Sequence, residues 1–99
     1  MVTKLRKSSG NVFEDLGFSA EQAWHLRIRS DLMIALSRLI TARGLTQAQA
    51  ARVFGVSQPR VSDLVRGKID RFSIDTLVTM LGHAGVEVVV STRKRARVA

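Results

Sequence analysis

Residues 46–67 read TQAQAARVFGVSQPRVSDLVRG, and the punctuation of this stretch decides the fold. Thr46 with Gln49 three residues on is a capping box, in which each side chain satisfies the other residue's backbone N–H. It predicts a helix over Gln47–Phe54 that buries Ala50, Ala51 and Phe54 and stops at Gly55. Ser57 caps the next helix, with Val56 before the cap and Val61 after it at the spacing of a hydrophobic staple. Pro59 falls in the first turn, where its missing N–H costs nothing. That second helix spans Gln58–Val65, turns Val61, Leu64 and Val65 inward and ends at Gly67. Two short helices are thus joined by Gly55, Val56 and Ser57 alone, a tight corner that needs the positive φ a glycine permits.

The same signals recur on either side. Ser19 with Gln22 is a further capping box preceded by Phe18, and Trp24, Ile28, Leu32, Ala35, Leu36, Leu39 and Ile40 follow at spacings of three and four. A helix over residues 20–43, ended by Gly44, would be about 36 Å long, a length that invites a break near Arg29 to Asp31. Downstream, Phe72, Ser73 and Leu77 repeat the staple and cap for a helix over Ile74–His83, ended by Gly85. Val86-Glu87-Val88-Val89-Val90-Ser91 is β-branched and reads as a strand. One strand cannot satisfy its own backbone, so it must pair with residues 2–6, with the same strand of a second subunit, or with another protein. The expected fold is mainly α, a bundle of four to five helices with a short C-terminal strand that pairs across a dimer. Residues 1–18 form a flexible arm without sustained period, residues 19–91 the domain, and residues 92–99 a basic tail.

With 99 residues the chain is one domain, too small for a two-lobed enzyme. It has no cysteine, which excludes a disulfide scaffold, a thiolate nucleophile and a Cys-ligated metal, and suits a reducing cytoplasm. No apolar run approaches the roughly 18 to 20 residues that span a bilayer, and the basic start has no apolar core of a signal peptide behind it. The formal net charge of +8 is unevenly placed. Residues 1–25 are neutral, residues 26–67 carry seven arginines against Asp31 and Asp63, and residues 68–99 carry the remaining excess. A basic block of this kind points to a polyanion, and arginine's planar fork suits phosphate and guanine.

Short helices around a glycine corner, apolar on one side and polar on the other, have the helix-turn-helix layout. The first helix braces on the DNA backbone, and the second offers its N-terminal residues to the major groove. At this point a resemblance is visible. Thr46-Gln47, Ala51, Gly55, Val56-Ser57, Val61, Leu64 and Gly67 resemble the pattern of the Xre or lambda-repressor-like family. The wider chain resembles HigA-type antitoxins: a Phe/Gly/Leu arm, a long helix before RGLTQ, then RGKIDRFSIDTLVTMLGHAGVEVVV. The resemblance covers residues 11–92 and is closest over residues 44–82. It implies a cytoplasmic bacterial or phage DNA-binding dimer, commonly the antitoxin of a RelE-like or HigB-like toxin whose complex represses its own operon.

Carried onto these positions, Gln58 is the first candidate for a base edge, because a glutamine can bond adenine bidentately. Ser57, Arg60, Ser62 and Asp63 complete the candidate base-reading set. Asp63 would accept only from a cytosine amino group, or else serve as the partner of Arg60 or Arg66. Arg43, Thr46, Gln47, Arg66 and Lys68 are the candidate phosphate contacts. Pro59 departs from the family, many members of which have a polar reader there. Arg27, Arg29, Arg38 and Arg52 read as solvated faces or contacts to an acidic partner.

His25 and His83 are far apart, the latter at a helix end suited to the last carbonyls, and no triad, carboxylate pair, phosphate loop or metal-ligand spacing is present. Trp24 and the phenylalanines read as core. The expectation is therefore a non-enzyme without cofactor or metal that binds an operator palindrome as a homodimer, with half-sites about 34 to 36 Å apart. The alternatives are a stand-alone regulator without a toxin, and a toxin-neutralising module that has lost DNA binding.

Overall fold

A computed structural model describes residues 2–4 and 12–94. The elements in chain order are β1 (Val2–Lys4), α1 (Val12–Asp15), α2 (Ala20–Arg43), α3 (Gln47–Phe54), α4 (Gln58–Val65), a 3-10 turn (Ile69–Arg71), α5 (Ile74–His83) and β2 (Glu87–Val89). Parts of the expected arm, residues 5–11, and of the basic tail, residues 95–99, lie outside the described residues.

The caps set the helix boundaries. At α2 the Ser19 hydroxyl accepts from the Gln22 N–H at 3.2 Å while the Gln22 side chain accepts from the Ser19 N–H, also at 3.2 Å. Thr46 and Gln49 repeat the exchange at 3.1 and 2.9 Å. Ser73 accepts from the Thr76 N–H at 3.1 Å. Each exchange gives partners to amide groups that a helix's first turn leaves orphaned. Ser57 differs. It has the extended N-cap backbone, but its side chain makes no cap hydrogen bond. Its carbonyl takes the Arg60 N–H at 3.1 Å, and Pro59 has no N–H to give.

α2 runs unbroken for 24 residues, so the break considered near Arg29 to Asp31 does not occur. Both residues are tied down on their own helix's flank. Arg27 pairs with Asp31 at 3.5 Å, and Arg29 donates to the Ile69 carbonyl at 3.3 Å. The core lies under the C-terminal half of α2, where Leu32, Met33, Leu36 and Leu39 meet Ala50, Ala51 and Phe54 of α3, Val61 and Leu64 of α4, and Leu77, Met80 and Leu81 of α5. Phe72 and Val86 close it from the connecting segments. The first turns of α2 reach beyond this cluster, and there Trp24, expected in the core, stands 46% exposed. Val65 was also expected inward, yet it is 45% exposed. Leu64 already fills the seam, and its neighbour is turned away by the helix's 100° step.

The strand finds its partner within the chain. β2 pairs in parallel with β1, with Val2, Thr3 and Lys4 opposite Glu87, Val88 and Val89. Of the three partners open to it, the N-terminal residues are the ones it meets here. Ahead of α2, the segment read as an arm carries a single helical turn, α1, which packs on α2 and buries none of its own residues. The 3-10 turn at Ile69–Arg71 has no counterpart in the sequence reading, and it packs against α2.

Candidate nucleic-acid interface

Gly55 makes the corner between α3 and α4, at φ 70° and ψ 32°. Its N–H and that of Val56 both return to the Ala51 carbonyl, the latter at 3.0 Å, closing α3 within one residue. A second constraint acts at the same place. A Cβ on Gly55 would sit 3.1 Å from Cδ2 and 3.2 Å from Nε2 of His83, whose ring lies against the corner. His83 thus packs on the corner, where the sequence suggested only an interaction with carbonyls at its own helix end.

With Ala50, Ala51 and Phe54 of α3 and Val61 and Leu64 of α4 buried, the opposite faces are left to solvent. Gln47 and Arg52 stand exposed on α3, and Ser57, Gln58, Pro59 and Arg66 stand exposed along α4. Ser62 is half-buried on the same side. The structure therefore leaves Ser57 and Gln58 exposed at the start of α4, with Ser62 one turn further along the same flank. Thr46 lies at the start of α3, where its hydroxyl oxygen is used in the cap and its O–H remains a donor. Arg66 has no side-chain partner among the described residues, and the same holds for Arg38 and Arg52.

Four other candidates are engaged inside the fold. Arg43 donates through Nη2 to the Ala84 carbonyl at 3.0 Å and so ties the end of α2 to the end of α5. Arg60 donates to the Arg71 carbonyl at 2.8 Å and lays its guanidinium over the Phe72 ring, 4.4 Å from its centroid. Asp63 is held by Arg71 at 3.1 Å and by Lys68 at 3.8 Å, neither of which is the Arg60 or Arg66 the sequence suggested. Arg71 and Phe72 are thus the residues sequence reasoning missed. Their partners lie eight to twelve positions away across a turn, beyond the reach of any helical period.

Beside the C-terminal end of α4 lies an open groove of about 680 Å³, lined by Phe13, Met33, Ile34, Leu64, Val65 and Ile69 among others. Among the described residues, no group of three His, Cys, Asp or Glu side chains is placed to share a metal ion. No helix among them is long and apolar enough to cross a membrane.

A family described as a helix-turn-helix domain matches the chain over residues 12–93, which takes in every α-helix and β2. The chain belongs to this helix-turn-helix family. No curated protein matches it. In a helix-turn-helix layout the first short helix braces on the DNA backbone and the second enters the major groove, and α3 and α4 are the two helices joined by the glycine corner. Among the described residues the fold is mainly α, with five α-helices and the short strands β1 and β2, and double-stranded DNA is the partner that this family points to.

Proposed function

We propose that the chain is an Xre-type, sequence-specific double-stranded DNA-binding repressor, cytoplasmic and of bacterial or phage origin, that acts as a homodimer on an operator palindrome. We further propose that it is the antitoxin of a type II pair, close in kind to HigA, and represses its own operon together with a RelE-like or HigB-like toxin. One observation carries the DNA reading: the N-terminal turn of α4 is solvent-facing and backed by core residues, with Arg66, which has no side-chain partner among the described residues, at its other end. Gln58 is the principal base reader, and Ser57 and Ser62 assist it. Thr46, Gln47 and Arg66 contact phosphates. Arg43 and Lys68 are the further phosphate contacts, each with one internal partner.

The toxin half is supported by α1 and the turn after it, where Val12, Leu16 and Phe18 are exposed, Leu16 at 69%. Exposed apolar side chains so close together in sequence offer a surface to a protein partner. A fluorescence titration against the chain's own upstream DNA tests the first half. Preference for that duplex over a shuffled one at physiological salt is expected, and equal affinity would overturn it. Co-expression with the adjacent gene tests the second: a copurifying small basic protein whose toxicity is relieved is expected. Absence of both leaves the stand-alone regulator as the better reading.

A further inference from the structure

We propose that Arg60 is a positioning residue, the inner half of a reciprocal latch that sets the rotation of α4 and acts through Gln58 and Ser62 without itself touching DNA. The proposal rests on the DNA-binding reading above.

The recognition helix is short, and the only residues it buries fully are Val61 and Leu64, three positions apart. Two anchors so placed cover only about 60° of the helix's circumference, a narrow line of contact on which a rod can still roll. A roll of about 20° moves a side chain at the helix's roughly 5 to 6 Å outer radius by about 2 Å. That displacement is well beyond the ~0.5 Å within which a binding constellation must be held. Something off that line has to remove the roll.

The off-line constraint is a pair of contacts that cross in opposite directions. From α4, Arg60 reaches out: Nη1 donates to the Arg71 carbonyl at 2.8 Å, and Cζ sits 4.4 Å over the buried Phe72 ring. Back toward α4 comes Arg71, whose Nη1 donates to Oδ1 of Asp63 at 3.1 Å. Lys68 adds its ammonium at 3.8 Å from the same oxygen and its N–H to the Asp63 carbonyl at 3.0 Å. The segment Lys68–Phe72 therefore grips α4 at residues 60 and 63, which share one flank. At 100° per residue, Gln58 and Ser62 fall on the opposite flank, across the exposed ridge of Pro59 and Arg66. Arg60 has its guanidinium committed on the side away from the readers, with a hydrogen bond and an aromatic face that together define its plane. The same latch answers a charge problem. Asp63 would repel phosphate from the recognition helix, and the two cations beside it offset that charge within the protein.

The test uses the full chain and the duplex it enriches most strongly from a randomised pool. Wild type, Arg60→Ala, Arg60→Lys and Arg66→Ala are titrated by fluorescence anisotropy on that duplex and on a shuffled one across a salt series, with thermal unfolding of each alongside. Arg60→Ala is expected to lower the preference for the enriched duplex by about tenfold while leaving affinity for the shuffled duplex and the salt slope unchanged. Arg60→Lys keeps a cation over Phe72 without the planar fork, so it is expected to fall between the two and covers the case of an unfolded alanine variant. Arg66→Ala is the contrast, with a slope lower by about 0.9. The latch is overturned if Arg60→Ala lowers the slope by that amount on both duplexes, which makes Arg60 a phosphate contact. It is equally overturned if discrimination is lost at a single base pair, which makes Arg60 a direct reader, or if only the melting temperature falls. If wild type enriches no duplex, the DNA-binding reading falls and takes the latch's role with it. If wild type discriminates and Arg60→Ala does so equally, the latch alone falls.

Discussion

Replacing Gly55 by alanine puts the corner between α3 and α4 to a quantitative test. At φ 70° an L residue brings its Cβ against the following carbonyl oxygen, at a cost of roughly 1–2 kcal/mol. Reduced freedom of the unfolded chain returns about 0.4–1 kcal/mol of that. The new methyl would also lie 3.1 Å from the His83 ring, closer than ordinary contact. Because His83 is exposed, its ring can turn aside, and off-rotamer strain or lost packing adds about 0.5–1.5 kcal/mol. The net expectation is a loss of about 1–2 kcal/mol, or roughly 4–16 °C in Tm for a domain of this size. Urea and thermal unfolding followed by circular dichroism measure it. Two companions separate the causes. Gly55→Asn should lose less than Gly55→Ala, because asparagine tolerates the left-handed region. His83→Ala should cost less in the Gly55→Ala background than alone, because the crowding is then relieved. A Gly55→Ala protein within about 0.3 kcal/mol of wild type would refute the claim that this corner requires glycine, and strict additivity with His83→Ala, to within the usual ~0.3–0.5 kcal/mol, would remove the ring from the account.

Other outcomes follow from the same geometry. Gln58→Ala should weaken binding to the operator by about 1–3 kcal/mol and relax base choice at one position, with little change on random duplex, as read by titration against single-base variants. Arg66→Ala should weaken every duplex alike and lower the slope of log affinity against log salt by about 0.9. Phe54→Ala, at a side chain with no exposed surface, should cost about 3–5 kcal/mol and lower Tm by roughly 12–40 °C by circular dichroism.

What could be read in advance was whatever depends on near neighbours. The bounds of α3, α4 and α5 follow from Thr46 with Gln49, from the spacing of Val56 and Val61, and from Ser73 with Leu77, all within five residues of one another. The solvent-facing side of α4 was legible for the same reason, since burying Val61 and Leu64 on a short helix leaves Gln58 and Ser62 elsewhere. Errors arose where local pattern and tertiary placement part company. Trp24 keeps the helical spacing of a core residue but lies on a turn of α2 ahead of the main core cluster, where its neighbour Ala23 is the buried residue, and Ser57 has a cap's backbone while Pro59 and its own carbonyl leave its hydroxyl without a cap bond.

The sequence by itself determined where the helices start and stop, which of their faces are apolar, and that an arginine-rich glycine corner sits at the centre of the chain, because capping and amphipathic periodicity are local chemistry. Only the tertiary structure decided which arginines are available to a partner. Seven lie between residues 26 and 67 and look alike in sequence. Folding commits Arg29, Arg43 and Arg60 to the carbonyls of Ile69, Ala84 and Arg71, each 11 to 41 positions away, and leaves Arg66 at the end of the recognition helix without a side-chain partner among the described residues. The intrachain pairing of β2 has the same character: β1 arrives alongside Glu87–Val89 from the other end of the chain. Backbone carbonyls and strand edges are present at every residue and carry no sequence signature, so which of them meets a given guanidinium or strand is known only once the helices are packed.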